Sequence, residues 1–127
     1  GFPKKRVIGT GTSLDSARLR VELAKRLQVP IESVNAWVLG EHGDSSFENL
    51  SSAVVNGKPL LDYPGMTEAA LDEIEAHVRE KGSEIIVKKG ATYYGVAMML
   101  AKIVTAILEN NDLALPLSAP LHGEYGI

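Results

Sequence analysis

Val34-Asn35-Ala36-Trp37-Val38-Leu39 leads straight into Gly40-Glu41-His42-Gly43-Asp44-Ser45. The first six residues are rich in β-formers and predict a strand. At its end two glycines bracket a histidine, with an acid on each side. Flanking glycines let backbone and ligand approach closely, and the end of a strand is a usual place for a functional side chain. Upstream, Pro30 closes a helical pattern over about 12–27. Leu14, Ala17, Val21 and Ala24 fall at helical spacing on one face, with Leu23 and Leu27 beside them. Asp15 and Arg18 are neighbours on that helix surface. The bland account of them is a solvated ion pair worth a few tenths of a kcal/mol.

Val7-Ile8 is a short apolar step before a Gly9-Thr10-Gly11-Thr12 turn. Downstream of the histidine, a mixed run over 47–55 reaches Asn56-Gly57, a strong hairpin signal, and Lys58-Pro59-Leu60-Leu61 is the return strand. Pro64-Gly65 is another turn. Thr67 caps a second helix whose early acids, Glu68, Asp72 and Glu73, suit the positive helix end. Leu71, Ile74 and Val78 form its buried stripe. Gly82 is expected to kink or divide it, Ile85-Ile86-Val87 to continue the apolar face, and Lys88-Lys89-Gly90 to close it. Ala91-Thr92-Tyr93-Tyr94-Gly95 is a connection, with Tyr93-Tyr94 read as packing. The stretch 96–108 is nearly all apolar and predicts a helix at the centre of the core. Asn110-Asn111-Asp112 ends it, and 113–121, with two prolines, reads as an edge strand or first hairpin arm. The sum is α+β, an antiparallel sheet packed against long helices, in one domain over 1–127.

With 127 residues, 45% hydrophobic and 23% charged, the chain matches one ordinary soluble domain. A chain this long buries roughly two thirds of its surface on folding. Net charge is −3 with the signs interspersed, and no basic run points to nucleic acid. The absence of cysteine excludes disulfides, thiolate zinc sites and cysteine nucleophiles, and is compatible with a cytoplasmic setting. No stretch approaches the ~20 uninterrupted apolar residues of a membrane helix. The basic start Lys4-Lys5-Arg6 is not followed by the apolar region of a signal peptide. The chain opens without an initiator methionine and closes on Leu121-His122-Gly123-Glu124-Tyr125-Gly126-Ile127, a turn with a strand about to begin, so both ends read as cuts.

His42 is the natural proton donor or acceptor near neutral pH, a role that contributes about 10²- to 10⁴-fold in rate. A carboxylate that holds one tautomer and favours the imidazolium completes such a site, and Asp15 could supply it. Arg18, one turn along, could take a substrate carboxylate as a two-pronged fork. The three together fit proton transfer at the hydroxyl or carbonyl of a small carboxylic acid. His42, His77 and His122 are scattered without metal-ligand spacing, and His77 reads as helix surface. Gly-x-Ser-x-Gly is absent. Gly9-Thr10-Gly11 is followed at the third place by Leu14, so no dinucleotide phosphate loop is present.

Ile8-Gly9-Thr10-Gly11-Thr12-Ser13-Leu14-Asp15-Ser16-Ala17-Arg18, Gly40-Glu41-His42-Gly43-Asp44-Ser45 and Lys89-Gly90-Ala91-Thr92-Tyr93-Tyr94-Gly95 together resemble the bacterial L-lactate dehydrogenases of the lactate/malate dehydrogenase family. The likeness runs through the whole chain and covers about the catalytic half of a family subunit. It implies His42 as proton donor and acceptor, Asp15 as its carboxylate partner, Arg18 as the grip on the substrate carboxylate, and Thr92 beside the substrate. Thr10 and Val96 would lie near the nicotinamide of NAD, whose site falls mostly outside these residues. The nucleotide-binding domain, a mobile loop with a polarising arginine and the last strands and helix are absent, so the resemblance implies a fragment not competent alone.

The chain also departs from the family. After Ser45 the family usually has a proline and then a tryptophan where Glu48 and Leu50 stand, which opens the substrate question. Glu41 favours lactate over malate, and a bulkier acid such as 2-hydroxyisocaproate remains an alternative. Regulation by fructose 1,6-bisphosphate would use an arginine and a histidine. Arg20 fits the first, but Asn35 stands at the second and argues against that regulation. Family subunits assemble into dimers and tetramers, so the reading of another class is a non-catalytic, self-associating assembly module.

Overall fold

The computed structural model describes residues 1–126, so Ile127, the end of the turn expected over 121–127, lies outside the described residues. The helix expected over 12–27 is α1, Ser13–Leu27, ended by Gln28 in the left-handed conformation. Its buried face is not the one the apolar spacing suggested. Leu19, Leu23 and Ala24 are buried together with Ser13 and Ser16, whereas Leu14 and Ala17 are half-buried and Val21 is exposed. Two serines on the inner face are compatible with burial because each finds a backbone partner.

The strand expected over 34–39 divides into two short ones, β1 (Val34–Asn35) and β2 (Val38–Leu39), which belong to different ladders. β2 pairs antiparallel with β3 (Phe47–Glu48), in the register Val38 opposite Glu48. β1 pairs antiparallel with β4 (Val54–Val55), which pairs in turn with β5 (Lys58–Pro59). The β4–β5 turn is Asn56-Gly57, both residues at positive φ (48° and 77°), the conformation that matches the twist of a tight hairpin. Pro59 sits on the outer strand, where a missing N–H costs nothing.

The next helix, α2, runs unbroken from Glu68 to Lys89, so Gly82 does not divide it. Thr67 caps it by accepting the Ala70 N–H, and Gly90 ends it at φ 78°. Ile74 and Val78 are buried, but Ile86 and Val87 are exposed and do not extend that face. The core is one cluster: Leu19 and Leu23 of α1, Ile74 and Val78 of α2, and Val34, Ala36, Val38, Leu50, Ala53, Val55 and Leu60 from the strands and their loops.

Helix α3, Tyr94–Leu108, is not the centre of that core. Only Met99 and Ile103 are buried, while Met98, Val104, Ile107 and Leu108 face solvent. High apolar content marks a surface that needs a partner, without saying that the partner lies nearby in the same chain. After α3 the chain is extended, but a single antiparallel bridge joins Gly9 to Ser118 in place of an edge strand. Gly11, at φ 51°, is required there, because a Cβ would stand 2.6 Å from the Pro116 carbonyl oxygen.

Candidate active site

Buried hydroxyls position the site. Thr12 Oγ1 donates to the Val38 carbonyl at 2.6 Å, and the Val38 N–H donates to Ser16 Oγ at 2.9 Å. Both backbone groups of one β2 residue are thus tied to the first turns of α1. Two residues later the strand ends at Gly40, whose φ of 89° turns the chain; a Cβ there would lie 3.0 Å from the Ser45 carbonyl oxygen. The loop is closed by the Ser46 N–H on the Gly43 carbonyl and by Ser45 Oγ on Glu41. Nothing in the apolar pattern pointed to Thr12 and Ser16. The available signal was two hydroxyls at i and i+4 opening a helix where apolar residues were expected.

This arrangement brings His42 against Asp15. His42 Nδ1 lies 2.6 Å from Asp15 Oδ2, and Arg18 Nη1 lies 3.1 Å from Asp15 Oδ1. A carboxylate only accepts, so it assigns the proton to Nδ1 and leaves Nε2 to exchange a proton with a ligand. The His42 side chain is 65% exposed, while those of Asp15 and Arg18 are 14% and 17% exposed. Asp15 and Arg18 are therefore not the solvated pair of the bland account.

Arg18 also lies against α2. A Cβ on Gly82 would be 3.6 Å from Arg18 Nη1, an ordinary contact, so the glycine read as a helix breaker lies beside the guanidinium. Beside it is a cavity of about 370 Å³ between α1, α2 and the start of α3, lined by Arg18 and Thr92 together with Leu14, Val78, Ile85 and Tyr93. His42, Asp15, Thr10 and Val96 are not in its lining. Gly95 packs on Leu14, its would-be Cβ 3.0 Å from Leu14 Cδ1, and this draws the residue before Val96 onto α1. Thr10 stands just before α1, where its carbonyl accepts the Ser13 hydroxyl. Thr10 is half-buried and Val96 exposed, and both are uncharged, which is compatible with the face of a nicotinamide ring. The Tyr93 and Tyr94 rings lie against each other, tilted by 50° with centroids 4.7 Å apart, but both stay exposed, so they do not serve the core.

Glu48, on β3, is buried, and burial raises its carboxyl above the ordinary value. Arg20 places its guanidinium 5.3 Å over the Trp37 ring, and Asn35 is exposed on β1. His77 is on the surface of α2, 3.4 Å from Glu22. Among the described residues no cluster of three His, Asp or Glu is suited to a metal ion, and no helix is long and apolar enough to cross a membrane.

The family model for the lactate/malate dehydrogenase alpha/beta C-terminal domain matches residues 12–127. The chain belongs to this family. It is 99% identical over all 127 residues to an L-lactate dehydrogenase of Lactobacillus delbrueckii subsp. bulgaricus, and spans 41% of that relative's length. The minor L-lactate dehydrogenase of Enterococcus mundtii, solved in a ligands-bound form, superposes with a TM-score of 0.91 at 45% identity, covering 100% of this chain and 42% of that one. The malate dehydrogenase of Aeropyrum pernix superposes at 0.89 with 37% identity, over 100% of this chain and 42% of that one. The α+β architecture read from the sequence is thus the family's C-terminal domain fold.

Proposed function

We propose that the chain is the substrate-side, catalytic domain of an NAD-dependent L-2-hydroxyacid dehydrogenase that interconverts (S)-lactate and pyruvate. The observation that carries this reading is Asp15, whose two oxygens hold His42 Nδ1 at 2.6 Å and Arg18 Nη1 at 3.1 Å. One carboxylate thereby orients both a proton carrier and a carboxylate fork. Arg18 spends one N–H on Asp15 and keeps the rest of its guanidinium for the substrate carboxylate. In lactate oxidation His42 Nε2 takes the hydroxyl proton, and Asp15 stabilises the imidazolium that results. Thr92 lines the neighbouring cavity with Arg18 and limits the substrate's position. Thr10 and Val96 would flank a nicotinamide ring, which when bound would supply the acceptor for the hydride of the substrate's C2. In pyruvate reduction His42 returns the proton to the carbonyl oxygen.

No Gly-x-Gly-x-x-Gly loop for dinucleotide phosphates occurs in these 127 residues, which span 41% of the relative's length, so the chain by itself is expected to lack competence, since positioning supplies much of enzymatic rate. With NADH and pyruvate it is expected to give a flat absorbance trace. Adding the nucleotide-binding part of a relative is expected to restore turnover, and His42→Ala to remove it. Undiminished turnover in His42→Ala would overturn the assignment. Lactate is preferred to malate because of Glu41, and Glu48 and Leu50 keep 2-hydroxyisocaproate as the alternative. Relative kcat/KM for pyruvate, oxaloacetate and 2-oxoisocaproate decides among them. The partners are a small 2-oxo or 2-hydroxy acid and further copies of the subunit, in the cytoplasm.

The exposed apolar side of α3 favours a second reading beside the first, an assembly surface. Light scattering over a concentration series tests it, and a strict monomer would remove it.

A further inference from the structure

Helix α1 carries two apolar faces. Leu19, Leu23 and Ala24 are in the core, but Leu14 and Ala17 are half-buried and Val21 is 40% exposed. These last three fall at i, i+3 and i+7, so they form one stripe, roughly 10 Å long at the helical rise per residue. The core does not absorb that stripe. It lines the cavity of about 370 Å³ between α1 and α2, where Val78 and Ile85 of α2 face it.

The seam between the two helices sets the charge of that cavity. Arg26 meets Glu73 at 2.7 Å, Glu22 meets His77 at 3.4 Å, and Arg18 lies beside Gly82. Positions 26, 22 and 18 of α1 thus meet 73, 77 and 82 of α2, so the helices run antiparallel. The first rung joins opposite charges, and the second does so when His77 is protonated. The third sets Arg18 against Gly82 and its neighbour Lys81, so two cations share the cavity there. Arg18 turns to Asp15 at 3.1 Å and Lys81 to Glu84 at 2.7 Å, a carboxylate that also serves Lys88. The cavity wall holds Arg18, Lys25, Lys81 and Lys89 against one acid, Glu22. A wall of that sign around an apolar stripe complements an anion with an apolar body.

We propose that this cavity binds a medium-chain monocarboxylate without a 2-oxo group, and that such an acid excludes the substrate. The Arg18 guanidinium takes the carboxylate with the N–H groups that Asp15 leaves free. The acyl chain lies along Leu14, Ala17 and Val21 and removes their apolar surface from water. Lys25, Lys81 and Lys89 make the surroundings positive and draw the anion in. With no carbonyl beside its carboxylate, the acid offers His42 no oxygen to protonate, so it occupies Arg18 without reacting. A three-carbon acid is too short to cover the stripe and leaves it open. The exclusion of substrate rests on the dehydrogenase reading above, but the binding itself does not.

Octanoate, kept below the concentration at which it forms micelles, is titrated into the 127-residue chain and followed by methyl NMR. The methyl signals of Leu14, Ala17 and Val21 are expected to shift together. Octanol, which has the chain without the charge, and acetate, which has the charge without the chain, are each expected to bind at least about tenfold more weakly. Octanol binding as tightly as octanoate would overturn the proposal, and so would shifts confined to the exposed methyls of α3. Val21→Glu puts a negative charge on the stripe at an exposed position that the core does not use, and is expected to weaken octanoate binding at least about tenfold. Unchanged affinity in that variant would also overturn it. In the full-length Lactobacillus delbrueckii relative, octanoate is expected to raise KM for pyruvate and leave kcat alone. Val21→Glu is expected to remove that effect and keep the uninhibited kcat. A KM that octanoate does not move would overturn the exclusion of substrate. Should that relative not reduce pyruvate at all, the dehydrogenase reading fails, and the NMR titration still decides the binding.

Discussion

The Val38 N–H donates to the hydroxyl of Ser16 at 2.9 Å, inside the fold and across 22 residues of sequence. This bond fixes where β2 ends and so where His42 begins its turn toward Asp15. Ser16→Ala leaves a buried N–H without its acceptor, which costs about 1–3 kcal/mol. Denaturant unfolding is expected to show that loss. A change below a few tenths of a kcal/mol would mean that Thr12 alone holds the strand.

Asp15→Asn keeps the size of the side chain but cannot hold the same imidazole tautomer. Turnover in the full-length relative is expected to fall by about 10²- to 10⁴-fold, the range over which a positioned acid–base group acts. Retention of the wild-type kcat would separate Asp15 from the chemistry.

Gly82 separates two effects by size. A Cβ there makes only ordinary contact with Arg18 Nη1, at 3.6 Å. Gly82→Ala, inside a helix, is expected to stabilise the fold by up to about 1 kcal/mol. Gly82→Leu is expected to displace the guanidinium and raise KM for pyruvate several-fold. An equal KM in both variants would show that Arg18 does not depend on this gap.

Glu48 makes stability depend on pH. Its folded carboxyl titrates above the unfolded value because burial disfavours the charge. The folded state therefore binds this proton more tightly, and the resulting stability is present below the ordinary glutamate range and is lost as pH rises through the raised value. Glu48→Gln is expected to flatten that decline in Tm between acidic and neutral pH. A wild-type slope in the variant would assign the decline to another group.

The outer side of α3 presents Val104 and Ile107 to solvent. In the reading of an assembly surface, Val104→Lys with Ile107→Lys is expected to lower the scattering mass toward that of one chain. An unchanged mass would place the contact elsewhere.

Local chemistry alone determined a good deal of this protein. Thr67 and Gly90 marked the ends of α2, Asn56-Gly57 marked its hairpin, and the glycines around His42 marked the loop. These are properties of a residue and its immediate neighbours, and they are written in order along the chain. The pairing of His42 with Asp15 was anticipated as a chemical need and through a family likeness; the 2.6 Å contact is a matter of tertiary structure. Only the fold decided that Ser16 faces the core, that Gly82 lies beside Arg18, that Glu48 is buried, and that α3 stays largely outside. Each depends on which surface lies opposite, and residues far apart in sequence supply that surface. Apolar periodicity reports how much a helix could bury, but not what is there to bury it against.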